Sequence, residues 1–196
     1  MTEAPDGLYR LAQNAVSAAV SSLWRFDVEG LDHVARSGRL IVAVNHRSWI
    51  DPPLAAIALY PRRYPRFLGK EELFRNPLAG WFLRRMGVIA LDRSRADVSA
   101  VRAAVDVLEG EGCMVVFPEG TRSRTGTPGR PKPGVGFLAR LSRAPVVPAR
   151  VWNTERFPKP VALRIKFGPA LRYEGGEERP QYQAFAERVM ETIFSL

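Results

Sequence analysis

Cysteine is nearly absent from this sequence. Cys113 stands alone among 196 residues, inside the apolar run Cys113-Met114-Val115-Val116-Phe117. No disulfide can form within the chain, so a reducing, cytosol-facing compartment is expected. Histidine is almost as scarce, with only His33 and His46, and two histidines without paired cysteines make no zinc ligand set. Long apolar runs are missing as well. No segment reaches the ~20 apolar residues of a membrane-spanning helix, and the best candidate, 11–24, is interrupted by Gln13, Asn14 and three serines. Residues 1–7 are acidic where a secretory leader needs positive charge. Neither a leader nor a membrane crossing is expected.

What is present fits one domain. With 46% apolar residues, a chain of this length buries a core without crosslinks or a structural metal. The net charge of +9 is distributed unevenly: −1 over 1–60, +5 over 61–100, +4 over 101–150 and +1 over 151–196. Of the 29 basic residues, 25 are arginine. Base composition of the gene is one source of that preference. Affinity for phosphate is the other, because a guanidinium meets phosphate oxygens with two parallel hydrogen bonds. Nucleic acid, anionic lipid or a phosphorylated substrate all match such a surface.

Near the N-terminus, Leu8, Leu11, Ala12, Ala15, Val16, Ala19, Val20, Leu23 and Trp24 recur every three or four residues, the spacing of an amphipathic helix. The run 40–44 is continuously apolar and reads as a buried strand. A helix over 52–59 and short strands at 67–69 and 88–91 follow. Val98, Val101, Val105 and Leu108 mark another amphipathic helix, closed by Gly110 and Gly112. Next come a strand at 113–117, a Gly/Pro/Arg-rich loop over 120–134 and a short helix at 137–142. Strands at 146–151 and 161–167 precede a closing helix carrying Tyr182, Phe185, Val189 and Ile193. Strands alternating with helices predict an α/β domain with a largely parallel central sheet flanked by helices. The expected division is an amphipathic helical segment over 1–29 and a single domain over 30–196.

Two constellations stand where such a sheet gathers its functional groups, at the carboxyl ends of strands. The first is Asn45-His46-Arg47-Ser48-Trp49-Ile50-Asp51, directly after the strand at 40–44. Pro52 and Pro53 bias the chain toward helix entry there, with Asp51 expected as the N-cap. A tight loop then folds the carboxylate back onto His46, fixing the imidazole tautomer and freeing the other nitrogen to take a proton. The second is Phe117-Pro118-Glu119-Gly120-Thr121-Arg122-Ser123, after the strand at 113–117. Glu119 has the chemistry to accept hydrogen bonds from a polyol, and Arg122 to hold a phosphate. Either segment alone also reads as an ordinary cap or a solvated turn.

Together, the two segments resemble the paired signatures of the glycerolipid acyltransferase family, best known for 1-acylglycerol-3-phosphate acyltransferases. The likeness continues in order through Phe67-Leu68-Gly69-Lys70-Glu71-Glu72-Leu73-Phe74, Gly87-Val88-Ile89-Ala90-Leu91-Asp92-Arg93, Lys132-Pro133-Gly134 and Pro145-Val146-Val147-Pro148. It covers roughly 30–170. Ala90 departs from the pattern, which usually carries an aromatic or larger apolar residue there.

The resemblance implies that His46 is a general base oriented by Asp51. It implies that Arg93, Glu119 and Arg122, with Gly120 and Thr121, bind the glycerol phosphate of the acceptor. Transfer would be direct, with no acyl-enzyme, metal or cofactor. This agrees with the lack of a Gly-x-Ser-x-Gly elbow and with Cys113 lying in an apolar run. Backbone amides of the His46 loop, or Lys70, are candidates to hold the oxyanion.

The implied reaction moves a fatty acyl group from acyl-CoA or acyl carrier protein to the free hydroxyl of 1-acylglycerol-3-phosphate. Another lysophospholipid or a glycolipid acceptor, or a catalytically silent membrane-binding module, are the alternatives. A lipid substrate also favours placing the N-terminal stripe in an anionic membrane surface, peripherally on the cytoplasmic face, rather than on the domain. Two other signals lack their context. Gly134-Val135-Gly136-Phe137-Leu138-Ala139 matches a dinucleotide fingerprint but follows Pro131-Lys132-Pro133 rather than a strand. Nucleic acid is not expected as a partner, since no helix-turn-helix or RNA-binding aromatic motif accompanies the basic charge.

Overall fold

The computed structural model describes residues 7–92, 97–122 and 129–196. Helix α1 (Gly7–Leu23) leads into β1 (Phe26–Glu29), β2 (Leu40–Val44), α2 (Asp51–Leu59) and β3 (Pro65–Lys70). Then follow α3 (Pro77–Arg85), β4 (Val88–Leu91), α4 (Val98–Glu109), β5 (Cys113–Val116), α5 (Gly134–Ser142), β6 (Val146–Trp152), β7 (Leu163–Phe167) and α6 (Arg179–Ser195). The strands form one sheet in the order β1-β7-β6-β2-β5-β3-β4. Five strands from β6 to β4 run parallel; β7 is antiparallel to β6, and β1 is parallel to β7.

Helices on both faces explain why the central strands are continuous apolar runs rather than alternating ones. All five residues of β2 are buried. Leu40, Val42 and Val44 meet α2 through Ala55, Ala56 and Leu59, together with Val115, Val147 and Phe167. Ile41, Ala43 and Met114 face the opposite layer, where Leu108 of α4, Leu138 of α5 and Phe185, Val189 and Ile193 of α6 pack. The α/β expectation is borne out, and every apolar position assigned to the closing helix is buried. Gly136 sits where α5 meets α6, and a Cβ there would stand 2.5 Å from the Tyr182 carbonyl oxygen. Gly136 of that false dinucleotide match therefore serves helix packing.

Three features differ from the sequence reading. The N-terminal helix ends at Leu23, and Phe26–Glu29, inside the segment assigned to 1–29, is an edge strand of the sheet. The face of α1 that packs on the body carries Tyr9, Gln13 and Val20. Of the nine stripe residues only Val20 is buried, and Leu11, Val16 and Leu23 are exposed. Several arginines of the basic excess are structural. Arg63 is buried and donates to the carbonyls of Ala35, Gly38 and Glu111. Arg39, Arg62 and Arg150 bind the carbonyls of Ser142, Val34 and Phe194.

Candidate active site

β2 and β5 are hydrogen-bonded neighbours, with Ala43 opposite Val116. The chain therefore leaves both strands at one edge and delivers both constellations there. Asn45 fixes the exit point. It is buried, its Nδ2 donates to the Val151 carbonyl at 3.2 Å, and its Oδ1 accepts from the Val151 N–H at 2.7 Å. The side-chain amide thus prolongs the β2–β6 ladder by one pair.

His46 comes next. Its Nδ1 lies 2.8 Å from Oδ2 of Asp51, and the carboxylate is fully buried. The same oxygen accepts the backbone N–H groups of Arg47 at 2.6 Å and Ser48 at 2.7 Å. The expected fold-back of Asp51 onto His46 is what the structure shows. Asp51 is not the N-cap, however: Ile50 holds that position and Asp51 is the first helical residue. Its carboxylate turns backward into the loop, and the helix dipole favours a negative charge at this end. The imidazole is stacked on Phe117, ring centroids 4.2 Å apart at 27°. With Nδ1 tied to a carboxylate, Nε2 is left to accept a proton. The His46 side chain keeps 15% of its surface open.

Glu119 has a partner within the protein. It is 5% exposed, and its Oε2 accepts the His46 N–H at 2.8 Å, so one oxygen braces the histidine loop instead of standing free for a polyol. Burial pushes its carboxyl up to about 7, with the nearby Asp51 charge adding and the His46 N–H and Arg47 opposing. A chain turn follows at Gly120, whose φ of +72° suits glycine and where a Cβ would press on the Lys132 side chain. Thr121 and Arg122 are exposed beyond it, and Lys70 is exposed at the end of β3. Arg93 lies outside the described residues.

The oxyanion candidates narrow. Among the loop amides, those of His46, Arg47, Ser48 and Asp51 are engaged within the protein, which narrows the loop candidates to the amides of Trp49 and Ile50, beside Lys70. Burial pushes the Cys113 thiol up to about 12, unsuited to forming a thiolate nucleophile. Among the described residues, no group of three histidine, cysteine, aspartate or glutamate side chains is placed to hold a metal ion.

Sequence reasoning missed two parts of the site. Lys132, at the far end of the same loop, lays its side chain against the Gly120 turn. The second is an apolar cavity of about 1040 Å³ between α4 and α5, walled by Val98, Val101, Val105, Leu138 and Leu141 and lined also by Phe117, Gly120 and Lys132. Phe117 stacks on His46 and also lines the cavity, so the two spaces adjoin.

A model of the acyltransferase family matches residues 25–152, most of this sheet and both constellations. The chain belongs to the acyltransferase family. Among relatives of this acyltransferase is a 1-acyl-sn-glycerol-3-phosphate acyltransferase of Streptococcus pneumoniae, 30% identical over 109 residues, covering 55% of this chain and 39% of that protein. Its counterpart in Bacillus subtilis is 25% identical over 142 residues, covering 72% of this chain and 70% of that one. The crystal structure of the 1-acyl-sn-glycerophosphate acyltransferase PlsC from Thermotoga maritima superposes with a TM-score of 0.78 at 26% identity, covering 95% of this chain and 78% of that one.

Proposed function

We propose that this acyltransferase moves a fatty acyl group from acyl-CoA or acyl carrier protein to the free hydroxyl of 1-acylglycerol-3-phosphate, giving phosphatidic acid. The observation that carries the reading is His46. One ring nitrogen is bound to a buried carboxylate, the other is available, and an apolar cavity adjoins it across Phe117. The acceptor hydroxyl donates to Nε2, which removes its proton as the oxygen attacks the thioester carbonyl. Asp51 stabilises the imidazolium that forms. The leaving thiol, of pKa ~8.5 for an ordinary thiol, departs as thiolate without a strong general acid. The cavity is of the size and polarity to take a hydrocarbon chain. Exposed Arg122 and Lys132, with Arg93, supply cations for the acceptor phosphate.

Both the acceptor and the product are lipids. Among the described residues no helix is long and apolar enough to cross a membrane. The outward face of α1, with Leu11, Val16 and Leu23, is suited to lie in the interface of an anionic bilayer, peripherally and on the cytoplasmic side. The test is an acceptor screen with one labelled acyl donor. Labelled phosphatidic acid formed fastest from 1-acylglycerol-3-phosphate supports the assignment. Preference for another lysophospholipid or a glycolipid moves the acceptor, and no product with any acceptor refutes it.

A further inference from the structure

The connection between β3 and β4 has a surface that catalysis does not explain. From Glu71 to Met86 only Gly80 is buried. Leu73 is 53% exposed, Leu78 80%, Trp81 52% and Phe82 43%. The exposure follows from how α3 is built. Asn76 caps it, accepting the N–H groups of Leu78 and Ala79 at 3.0 and 3.1 Å, and Pro77 opens it. Gly80 presses against the Phe74 backbone, where a Cβ would stand 2.9 Å from the carbonyl oxygen. The helix thus rests on the body at its glycine and turns its large side chains outward.

The charges of α3 itself are of one sign, while Glu71 and Glu72 are exposed at the start of the connection. Between residues 75 and 87 there are Arg75, Arg84 and Arg85 and no acidic residue. Arg85 stands over the Trp81 ring at 5.7 Å and Arg84 over Phe74 at 5.2 Å. Guanidinium groups laid beside exposed aromatic and leucine side chains match a bilayer interface, with phosphates at the level of the arginines and acyl chains below. This surface is distinct from that of α1, which packs on α2, whereas α3 packs on the edge strand β4.

We propose that α3 is a second bilayer-contact element, selective for anionic phospholipid, that holds the sheet beside the membrane. The segment leaves the sheet at the carboxyl end of β3, the edge that also carries His46 and Glu119. It then crosses to the amino end of the parallel strand β4, so contact through α3 sets the sheet beside the layer from which a lipid acceptor arrives. The assignment extends the membrane reading of α1 and is tested by binding alone, so its failure is separable from failure of the proposed reaction.

The experiment uses the full chain with phosphatidylcholine vesicles, with and without phosphatidylglycerol, carrying bromine on the acyl chains as a quencher. Wild-type tryptophan fluorescence should be quenched, and Trp81→Phe should lose part of that quenched signal. Arg84→Glu/Arg85→Glu should weaken binding to anionic vesicles more than tenfold, from about fivefold per arginine, with little change on phosphatidylcholine alone. An unchanged quenched fraction in Trp81→Phe together with anionic-vesicle binding within twofold of wild type overturns the proposal. So does a defect confined to transfer from acyl carrier protein, which would make the patch a protein-docking surface. Melting curves check the fold, and if the charge variant unfolds, the Trp81→Phe quenching comparison decides alone.

Discussion

Replacing Asp51 by asparagine should cost this enzyme little compared with the same change in a serine-protease-type triad. There, the amide presents the wrong group and the histidine takes the wrong tautomer, a loss of about 10⁴. Here a single oxygen of Asp51 is held by three donors: His46 Nδ1 at 2.8 Å and the N–H groups of Arg47 and Ser48 at 2.6 and 2.7 Å. An asparagine NH₂ cannot occupy that position, because two backbone N–H groups already point at it. The asparagine oxygen must go there, and the tautomer survives. What is lost is the negative charge, the difference between charged and neutral hydrogen bonds of about 1–2 kcal/mol, or roughly tenfold in rate. Asp51→Ala removes the acceptor outright. It strips two backbone donors, at roughly 1.5–3 kcal/mol each, and should lower the melting temperature as well as the rate. The assay is kcat/KM for Asp51→Asn with both substrates, beside a thermal melt. A loss near 10⁴ in a folded Asp51→Asn protein would show that the backbone donors do not fix the oxygen.

Glu119 gives a pH signature of stability. Its carboxyl is raised from an ordinary 4.5 to about 7, so the folded state binds the extra proton between those values and stability falls as pH rises through them. Urea unfolding at pH 5 and pH 8 should show wild type losing up to about 3 kcal/mol relative to Glu119→Gln; parallel behaviour of the two proteins would contradict this. Arg122→Ala should raise the KM for the acceptor several-fold and leave that for the donor nearly unchanged, and an equal effect on both would remove Arg122 from the phosphate site. Leu11→Glu/Leu23→Glu should release the protein from vesicles while sparing activity on a soluble short-chain acceptor, because both side chains are exposed. Unfolding of that variant would argue instead that this face is structural.

The parts legible in the sequence were those set by local pattern. The continuous apolar runs at 40–44 and 113–117 declared the central strands, and the prolines after Asp51 pointed to the tight loop that folds it back onto His46. The contact of Glu119 with the His46 N–H was not legible because the two lie 73 residues apart in the chain. That meeting follows from β2 and β5 being neighbours, which no local spacing encodes. β1 escaped notice as a four-residue strand with Asp27 and Glu29 at alternate positions. The α1 stripe was a real helix, but its period could not say which face packs. Tyr9 is drawn inward against Tyr64 and Gln13 is buried on the same face, while Ala15 and Ala19 are exposed. α3 lacked any apolar period pointing inward, because its large side chains are the exposed ones.

The central claim is that His46 removes the acceptor proton. His46→Ala should therefore be measured for thiol release from the acyl donor and for labelled lipid product, at saturating acceptor. The account predicts a fall of ~10²–10⁴ in turnover, with an unchanged melting temperature and unchanged vesicle binding. Turnover near the wild-type rate in the folded variant would contradict it.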